Sequence, residues 1–187
     1  TDHLKEITKG DSAKICSCDI EDVNEFTASH SINDRTRIFL KVQDGCDYNC
    51  SFCTIPMARG KSRSDSINNI VANVEAIAAQ GAKEVVLTGI NLGDFSPPTS
   101  QRGNLKQAHS KENFYSLIKE LDKIEGIERF RISSIEPNLL SNDIIEFVSN
   151  SKKFMPHFHI PLQSGSNRIL GLMRRRYKKE LYAERVG

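Results

Sequence analysis

Short apolar runs of strand length alternate with longer stretches of helical periodicity along most of this chain, and that alternation limits the fold more than any other feature. Residues 36–43 alternate apolar and polar and then enter a polar loop. Ile67, Ile70, Val71, Val74, Ile77 and Ala78 share one face of a helix over 66–80, with Asp65 or Ser66 placed to cap its start and Gly81 to stop it. Glu84–Thr88 is a short strand with Val85-Val86-Leu87 apolar throughout, the type found in a parallel sheet covered on both faces. A helix over 112–124 (Phe114, Leu117, Ile118, Leu121 and Ile124 inside), a strand over 128–134 and a helix over 139–149 (Leu140, Ile144, Ile145 and Val148 inside) follow. A strand over 157–162 and a helix over 166–174 complete a series of four strand–helix units. Such a series implies parallel strands with right-handed crossovers, hence an α/β architecture: a β/α barrel or a doubly wound sheet.

The flanks and the long connection read differently. Residues 1–35 are polar and weakly periodic, expected as a linker and the tail of a preceding domain, with the core over 36–187. Tyr177 to Val186 reads as a helix interrupted at Gly187, so the core is expected to be truncated at its C-terminus. The stretch from Gly89 to Lys111, with Pro97, Pro98 and Gly103, is too long for a tight turn and reads as a surface insertion or a lid.

The strand over 36–43 delivers Cys46, Cys50 and Cys53 in one loop at C-x3-C-x2-C spacing. Three thiols this close cannot all pair as disulfides, and Gly45, Asp47 and Asn49 favour a loop over a core position. Tetrahedral zinc normally takes four protein ligands, so zinc needs a distant fourth such as His157 or His159, which share one face of the strand over 157–162. An iron–sulfur cluster normally takes four thiolates, and with three supplied one iron stays open to a further ligand. Inert core cysteines and a plain electron-transfer cluster are the remaining readings. Cys16 and Cys18, at C-x-C spacing, read as packed or exposed thiols.

With 38% hydrophobic and 27% charged residues the composition is that of a globular protein, and a formal net charge of +2 makes no case for nucleic acid on charge alone. Five cysteines, three of them in one loop, point to a reducing, cytoplasmic compartment. No apolar stretch is long enough for a transmembrane helix.

In parallel β/α architectures ligands bind beyond the carboxyl ends of the strands. The cysteine loop, Gly89 with Asn91, Glu136, and Gln163 with Ser164 follow four successive strands, so one shared site is expected there. Gly89 lets backbone approach closely because it has no Cβ. Arg174 to Lys179 is the one dense positive run, suited to solvent or to an anionic partner.

The cysteine spacing, with the aromatic Phe52 before the last cysteine, resembles the signature of the radical S-adenosylmethionine superfamily. Leu40 to Cys46, Thr54 to Ser64, Leu87 to Asn91 and His159 to Ser166 resemble its methylthiotransferase branch. Arg131-Ile132-Ser133-Ser134-Ile135-Glu136-Pro137 is most similar to the subgroup that methylthiolates N6-threonylcarbamoyladenosine in transfer RNA. The resemblance implies a partial barrel of six units, of which about four are visible here. It implies a 4Fe–4S cluster held by Cys46, Cys50 and Cys53, with S-adenosylmethionine chelating the open iron. It implies that Phe52 shields the cluster near the adenine and that the backbone at Gly89 and Asn91 approaches the cofactor. Ser134 and Glu136 would meet the ribose or the methionyl ammonium, Gln163 and Ser164 the cofactor or substrate, and Arg175 the methionyl carboxylate. Arg59 and Arg63 are lesser candidates of the same kind. Thr88-Gly89-Ile90-Asn91 departs from the Gly-Gly-Glu element common in the family. The implied reaction is hydrogen abstraction from C2 of the adenine beside the anticodon by a 5′-deoxyadenosyl radical. An external electron donor would start it, and sulfur would come through a second 4Fe–4S cluster in a preceding domain. Another tRNA adenosine or a ribosomal protein is the alternative substrate, and a zinc-binding interaction module the alternative class.

Overall fold

The computed structural model describes residues 17–31, 37–97 and 112–187. Its centre is a sheet of four strands in the order β1 (Ser29–His30), β2 (Arg37–Lys41), β5 (Glu84–Thr88) and β6 (Arg129–Ile132). β2, β5 and β6 run parallel, with Leu40 opposite Leu87 and Val85 opposite Phe130. β1 adds an antiparallel edge, Ser29 facing Lys41 and His30 facing Leu40. A second, two-stranded ribbon pairs β3 (Gln43–Asp44) with β4 (Arg63–Ser64) and closes the cysteine loop at its base.

Each crossover helix begins on a side-chain cap. Helix α2 (Ile67–Ala79) starts where Ser66 Oγ accepts the Asn69 amide at 3.2 Å, and it buries Ile67, Ile70, Val74 and Ile77. Gly81, at φ +89°, then reverses the chain in a conformation that only glycine adopts without strain. In α3 (Phe114–Leu121) the Asn113 side chain accepts from Ser116 N, and in α4 (Asn142–Asn150) Ser141 accepts from Ile144 N. The buried faces of all three helices join Leu40, Val85, Leu87, Phe130 and Ile132 of the strands in one core. Val85, Val86 and Leu87 of β5 are buried, as their unbroken apolar run requires, and Glu84 is buried among arginines.

The expected fourth strand, 157–162, is not a continuous ladder. Residues 154–159 run beside β6 and the residues after it in the parallel sense, paired at two isolated bridges, Phe130 with Phe154 and Ser134 with His159. Proline explains the break. Pro156 and Pro161 have no amide hydrogen to give, and His157 N turns back to the Met155 carbonyl at 2.7 Å. A short helix α1 (Ile55–Arg59) inside the cysteine loop was not visible in the pattern; five residues carry too little periodicity to show. Beyond the bridges come α5 (Asn167–Leu172) and α6 (Lys179–Val186). The expected domain boundary at 35/36, most of the long connection before Lys111, and Cys16 lie outside the described residues. Among the described residues no helix is long and apolar enough to cross a membrane.

Candidate functional site

The cysteine loop is held by its own backbone and side-chain contacts. Its base is the β3–β4 ribbon, and Cys46 N donates to the Gly60 carbonyl at 3.1 Å. Gly45 sits at φ +68°, and a Cβ there would overlap the Lys61 carbonyl oxygen, so only glycine fits. Asp44 is the electrostatic anchor. Burial pulls its carboxyl upward, but the Arg59 hydrogen bond, the Gly45 amide, Lys41 and Arg63 together hold it below the usual carboxylate range. Arg59 Nη1 approaches it at 3.1 Å and Arg63 Nη2 at 3.2 Å. These two arginines are therefore spent on the loop itself.

Cys50 is buried, and Cys46 and Cys53 are partly so. Burial pushes the Cys46 thiol up, against the Tyr48 amide that donates to its sulfur at 3.4 Å. Burial does the same to Cys50, with Arg175 opposing it. No group of three or more His, Cys, Asp or Glu side chains among the described residues is set to hold a single metal ion. Tetrahedral zinc with Zn–S bonds of 2.3 Å needs ligand sulfurs about 3.8 Å apart, whereas a cluster gives each thiolate its own iron and lets them stand wider. His157 and His159, both exposed, supply no fourth zinc ligand. The donor set of three thiols on one loop fits a cluster with one open iron. Cys18 is exposed and lies outside the C-x3-C-x2-C run.

Opposite the loop, the strand ends bring together residues far apart in sequence. Glu136, after β6, pairs with Arg175 at 2.7 Å, both side chains largely buried. Burial raises the Glu136 carboxyl and Arg175 opposes that. Arg175 lies over the Phe52 ring with 5.2 Å to the centroid, which leads back to the cysteine loop. Asn91 is buried, and its Oδ1 accepts the Glu136 amide at 3.4 Å. Three buried atoms in this group, Glu136 Oε2, Arg175 Nε and Asn91 Nδ2, find no partner among the described residues. Buried polar atoms are normally paired, so one unspent acceptor and two unspent donors here mark a place for a polar ligand.

The remaining candidates stand differently. At Gly89 the close approach is made by the protein itself: a Cβ would lie 2.9 Å from Gln43 Oε1 and from Leu92. The Ser134 carbonyl is taken up by the turn after β5, accepting from Leu92 N at 3.2 Å. Gln163 is exposed with φ 61°, and Ser164 Oγ accepts the Ser166 amide at 3.1 Å. No hydrogen bond joins either of them to the Glu136 group among the described residues. A cavity of about 470 Å³ opens between β1 and the strand ends, lined in part by His30, Lys41, Gln43, Arg59 and Gly89.

Sequence reasoning missed three contributors. Gln43 is fully buried at the root of the loop. Tyr48 is buried, accepts from Asn138 Nδ2 at 2.7 Å and carries the Arg176 guanidinium over its ring at 4.0 Å. Arg176 also donates to the Asp47 carbonyl at 2.9 Å, and Ser51 N donates to the Met173 carbonyl at 3.3 Å. The segment 173–176 thus straps the cysteine loop from outside. Nothing local marks Tyr48 or Arg176, since their partners lie roughly ninety or more positions away.

Residues 40–186 match the family described as the Radical SAM superfamily. The chain belongs to the radical SAM superfamily. Within it the chain is similar to methylthiotransferases. It is 41% identical over 157 residues to the threonylcarbamoyladenosine tRNA methylthiotransferase MtaB of Bacillus subtilis, covering 83% of this chain and 33% of that protein. It is 36% identical over 153 residues to the tRNA-2-methylthio-N(6)-dimethylallyladenosine synthase of Thermodesulfovibrio yellowstonii, covering 82% of this chain and 33% of that one. The chain therefore spans about a third of the length of these relatives. Among solved structures, the radical S-adenosylmethionine methyltransferase TsrM from Kitasatospora setae, with tryptophan substrate and a SAM analogue bound, superposes with a TM-score of 0.57. That match has 17% identity and covers 78% of this chain and 26% of TsrM, so it speaks for the radical SAM fold alone.

Proposed function

We propose that this chain is the central part of a radical S-adenosylmethionine methylthiotransferase that modifies transfer RNA, acting at C2 of N6-threonylcarbamoyladenosine beside the anticodon. The observation that carries the reading is the buried Glu136–Arg175 pair, with unspent atoms on both partners, joined through Phe52 to a loop of three thiols. Cys46, Cys50 and Cys53 would hold a 4Fe–4S cluster. The cluster, when bound and reduced, supplies an electron to S-adenosylmethionine. The chain's own residues do the rest of the work on this side. Glu136 Oε2 suits the methionyl ammonium, and Arg175 Nε suits the methionyl carboxylate through a charge-assisted hydrogen bond. Asn91 Nδ2 offers a further donor beside them. Burial of this group keeps water from competing for those atoms.

The choice of adenosine rests on the relatives' names and on the stretch Arg131 to Pro137. Relatives named for the dimethylallyl nucleoside are only slightly less similar, so that nucleoside is the second reading. An external electron donor would supply the electron, and a second cluster and much of the tRNA contact would belong to parts of the protein outside this chain.

Calorimetric titration of anaerobically reconstituted protein with S-adenosylmethionine tests the site. Glu136→Gln keeps the shape but removes the charge and should weaken binding by about 1.5–3 kcal/mol, with the circular dichroism spectrum unchanged. Parent-like affinity in that variant would move the cofactor elsewhere. Nucleoside mass analysis of tRNA treated with the holoenzyme separates the two substrates.

A further inference from the structure

Gln43 has no exposed surface, yet it lies at the mouth of the sheet and makes none of its side-chain hydrogen bonds to a crossover helix or to the parallel strands. Its Nε2 donates toward the Asp44 carbonyl at 3.0 Å, the Gly45 carbonyl at 2.8 Å and Ser62 Oγ at 2.9 Å. All three lie at the root of the cysteine loop. Its Oε1 accepts the Ile90 amide at 2.8 Å and the Asn91 amide at 3.0 Å, in the loop after β5. One amide thus fastens two loops at once. Gly89 makes room for it, since a Cβ there would press on Gln43 Oε1 and Cβ.

The consequence is a closed ring of contacts. From the cysteine loop it passes through Gln43 to Asn91, through Asn91 Oδ1 to the Glu136 amide, across the ion pair to Arg175, and over Phe52 back to the loop. Remove Gln43 and the ring opens where the loop meets the end of β5. A buried amide serving only general stability would tie scaffold to scaffold. This one ties the thiol-bearing loop to the loop that carries Asn91.

We propose that Gln43 is a positioning residue that fixes the cluster loop against the loop after β5, so that the thiols and the Glu136–Arg175 pair keep one separation. The proposal rests on the cofactor reading above for its effect on S-adenosylmethionine, but not for its effect on the loops. Gln43→Glu is the cleanest probe: it keeps length, shape and the acceptor for Ile90 N and Asn91 N, and it replaces the donor with an oxygen facing two carbonyls. Hydrogen exchange on the unloaded protein should show amides of residues 44–62 exchanging about tenfold faster, the cost of roughly one buried hydrogen bond, while β5 and β6 keep their protection. In the reconstituted protein the iron content should match the parent. The affinity for S-adenosylmethionine should fall about tenfold by the same conversion, and its effect on the paramagnetic resonance of the reduced cluster should shrink in proportion. Gly89→Ala, which pushes Gln43 from the opposite side, should reproduce both changes.

Unchanged loop exchange, or loss of protection spread evenly through the sheet, overturns the proposal. So does parent-like cofactor affinity in Gln43→Glu when the parent binds. A parent that binds iron but does not titrate with S-adenosylmethionine sinks the cofactor reading instead, and the exchange comparison then decides the role of Gln43 by itself.

Discussion

At the scale of single residues the thiols and Gly45 bear the strictest demands. If each thiolate holds its own iron, losing any one leaves a cluster with too few ligands. Cys46→Ala, Cys50→Ala and Cys53→Ala should each lose the brown absorbance of the anaerobically reconstituted protein. Cys18→Ala, at an exposed thiol outside the C-x3-C-x2-C run, should keep it. Iron and sulfide analysis checks both, and a cluster that survived Cys50→Ala would redraw the ligand set. Gly45→Ala makes a different test. It must enter a left-handed conformation and displace the Lys61 carbonyl, so strain of about 1–3 kcal/mol falls on the loop. Its thermal midpoint should drop, and faster exchange in residues 43–64 should accompany the drop. The triplet of cysteines was legible because its spacing is local. Gln43 was not, because a glutamine beside a strand says nothing of five partners until the chain has folded around it.

At the scale of elements the sheet carries its own charge lock, at the end opposite the thiols. Glu84 opens β5, and Arg37 of β2 and Arg129 of β6 stand directly across from it in the ladder. Arg131 Nε reaches it at 2.6 Å and Arg129 Nε at 3.1 Å. The Arg131 hydrogen bond, then that of Arg129 and the charge of Arg37, outweigh burial and hold the Glu84 carboxyl below its ordinary 4.5. A depressed carboxyl stabilises the fold above the unfolded value and ceases to do so as pH falls through the folded one. Stability should therefore decline as pH drops below 4.5, and Glu84→Gln should flatten that decline while lowering stability at neutral pH. Urea midpoints across a pH series give the answer; a parallel decline in both proteins would assign the acid sensitivity to other carboxyls. The order of the main elements, the helix faces, the Ser66 cap and the Gly81 stop followed from periodicity and local hydrogen bonding. The segment 157–162 alternates as a strand does, but Pro156 just before it and Pro161 within it forbid the ladder.

At the scale of the whole molecule, the segment after α4 is held to the sheet by backbone hydrogen bonds, Phe130 N to the Lys153 carbonyl and Met155 N to the Phe130 carbonyl, and by packing. Phe154 is buried and stacks on Phe130 with ring centroids 5.0 Å apart, and Phe147 meets it edge-on at 5.9 Å. Phe154→Ala should cost about 3–5 kcal/mol, since it empties a space walled by two other rings. Because the chain beyond leads through the His159 bridge to Gln163 and on to Arg175, the same substitution should loosen the ion pair with Glu136. Denaturant unfolding measures the first effect. The second reads as a loss of cofactor affinity larger than the substitution Glu136→Gln leaves to be lost, so the two together should be less than additive.

The sequence by itself determined the succession of strands and helices, the placing of three thiols after a strand, and the membership of most of the chain in one family. These rest on interactions between near neighbours: amphipathic periods, caps, turn glycines and ligand spacing. Tertiary structure alone decided that Gln43 joins two loops, that Glu136 spends one oxygen on Arg175 while the other meets no partner among the described residues, and that Arg176 reaches back to Asp47. Such contacts link positions 39 and 129 residues apart, and no local pattern encodes which distant group a buried polar atom will meet. That is settled only when the core brings the strand ends together and burial makes every unpaired atom costly.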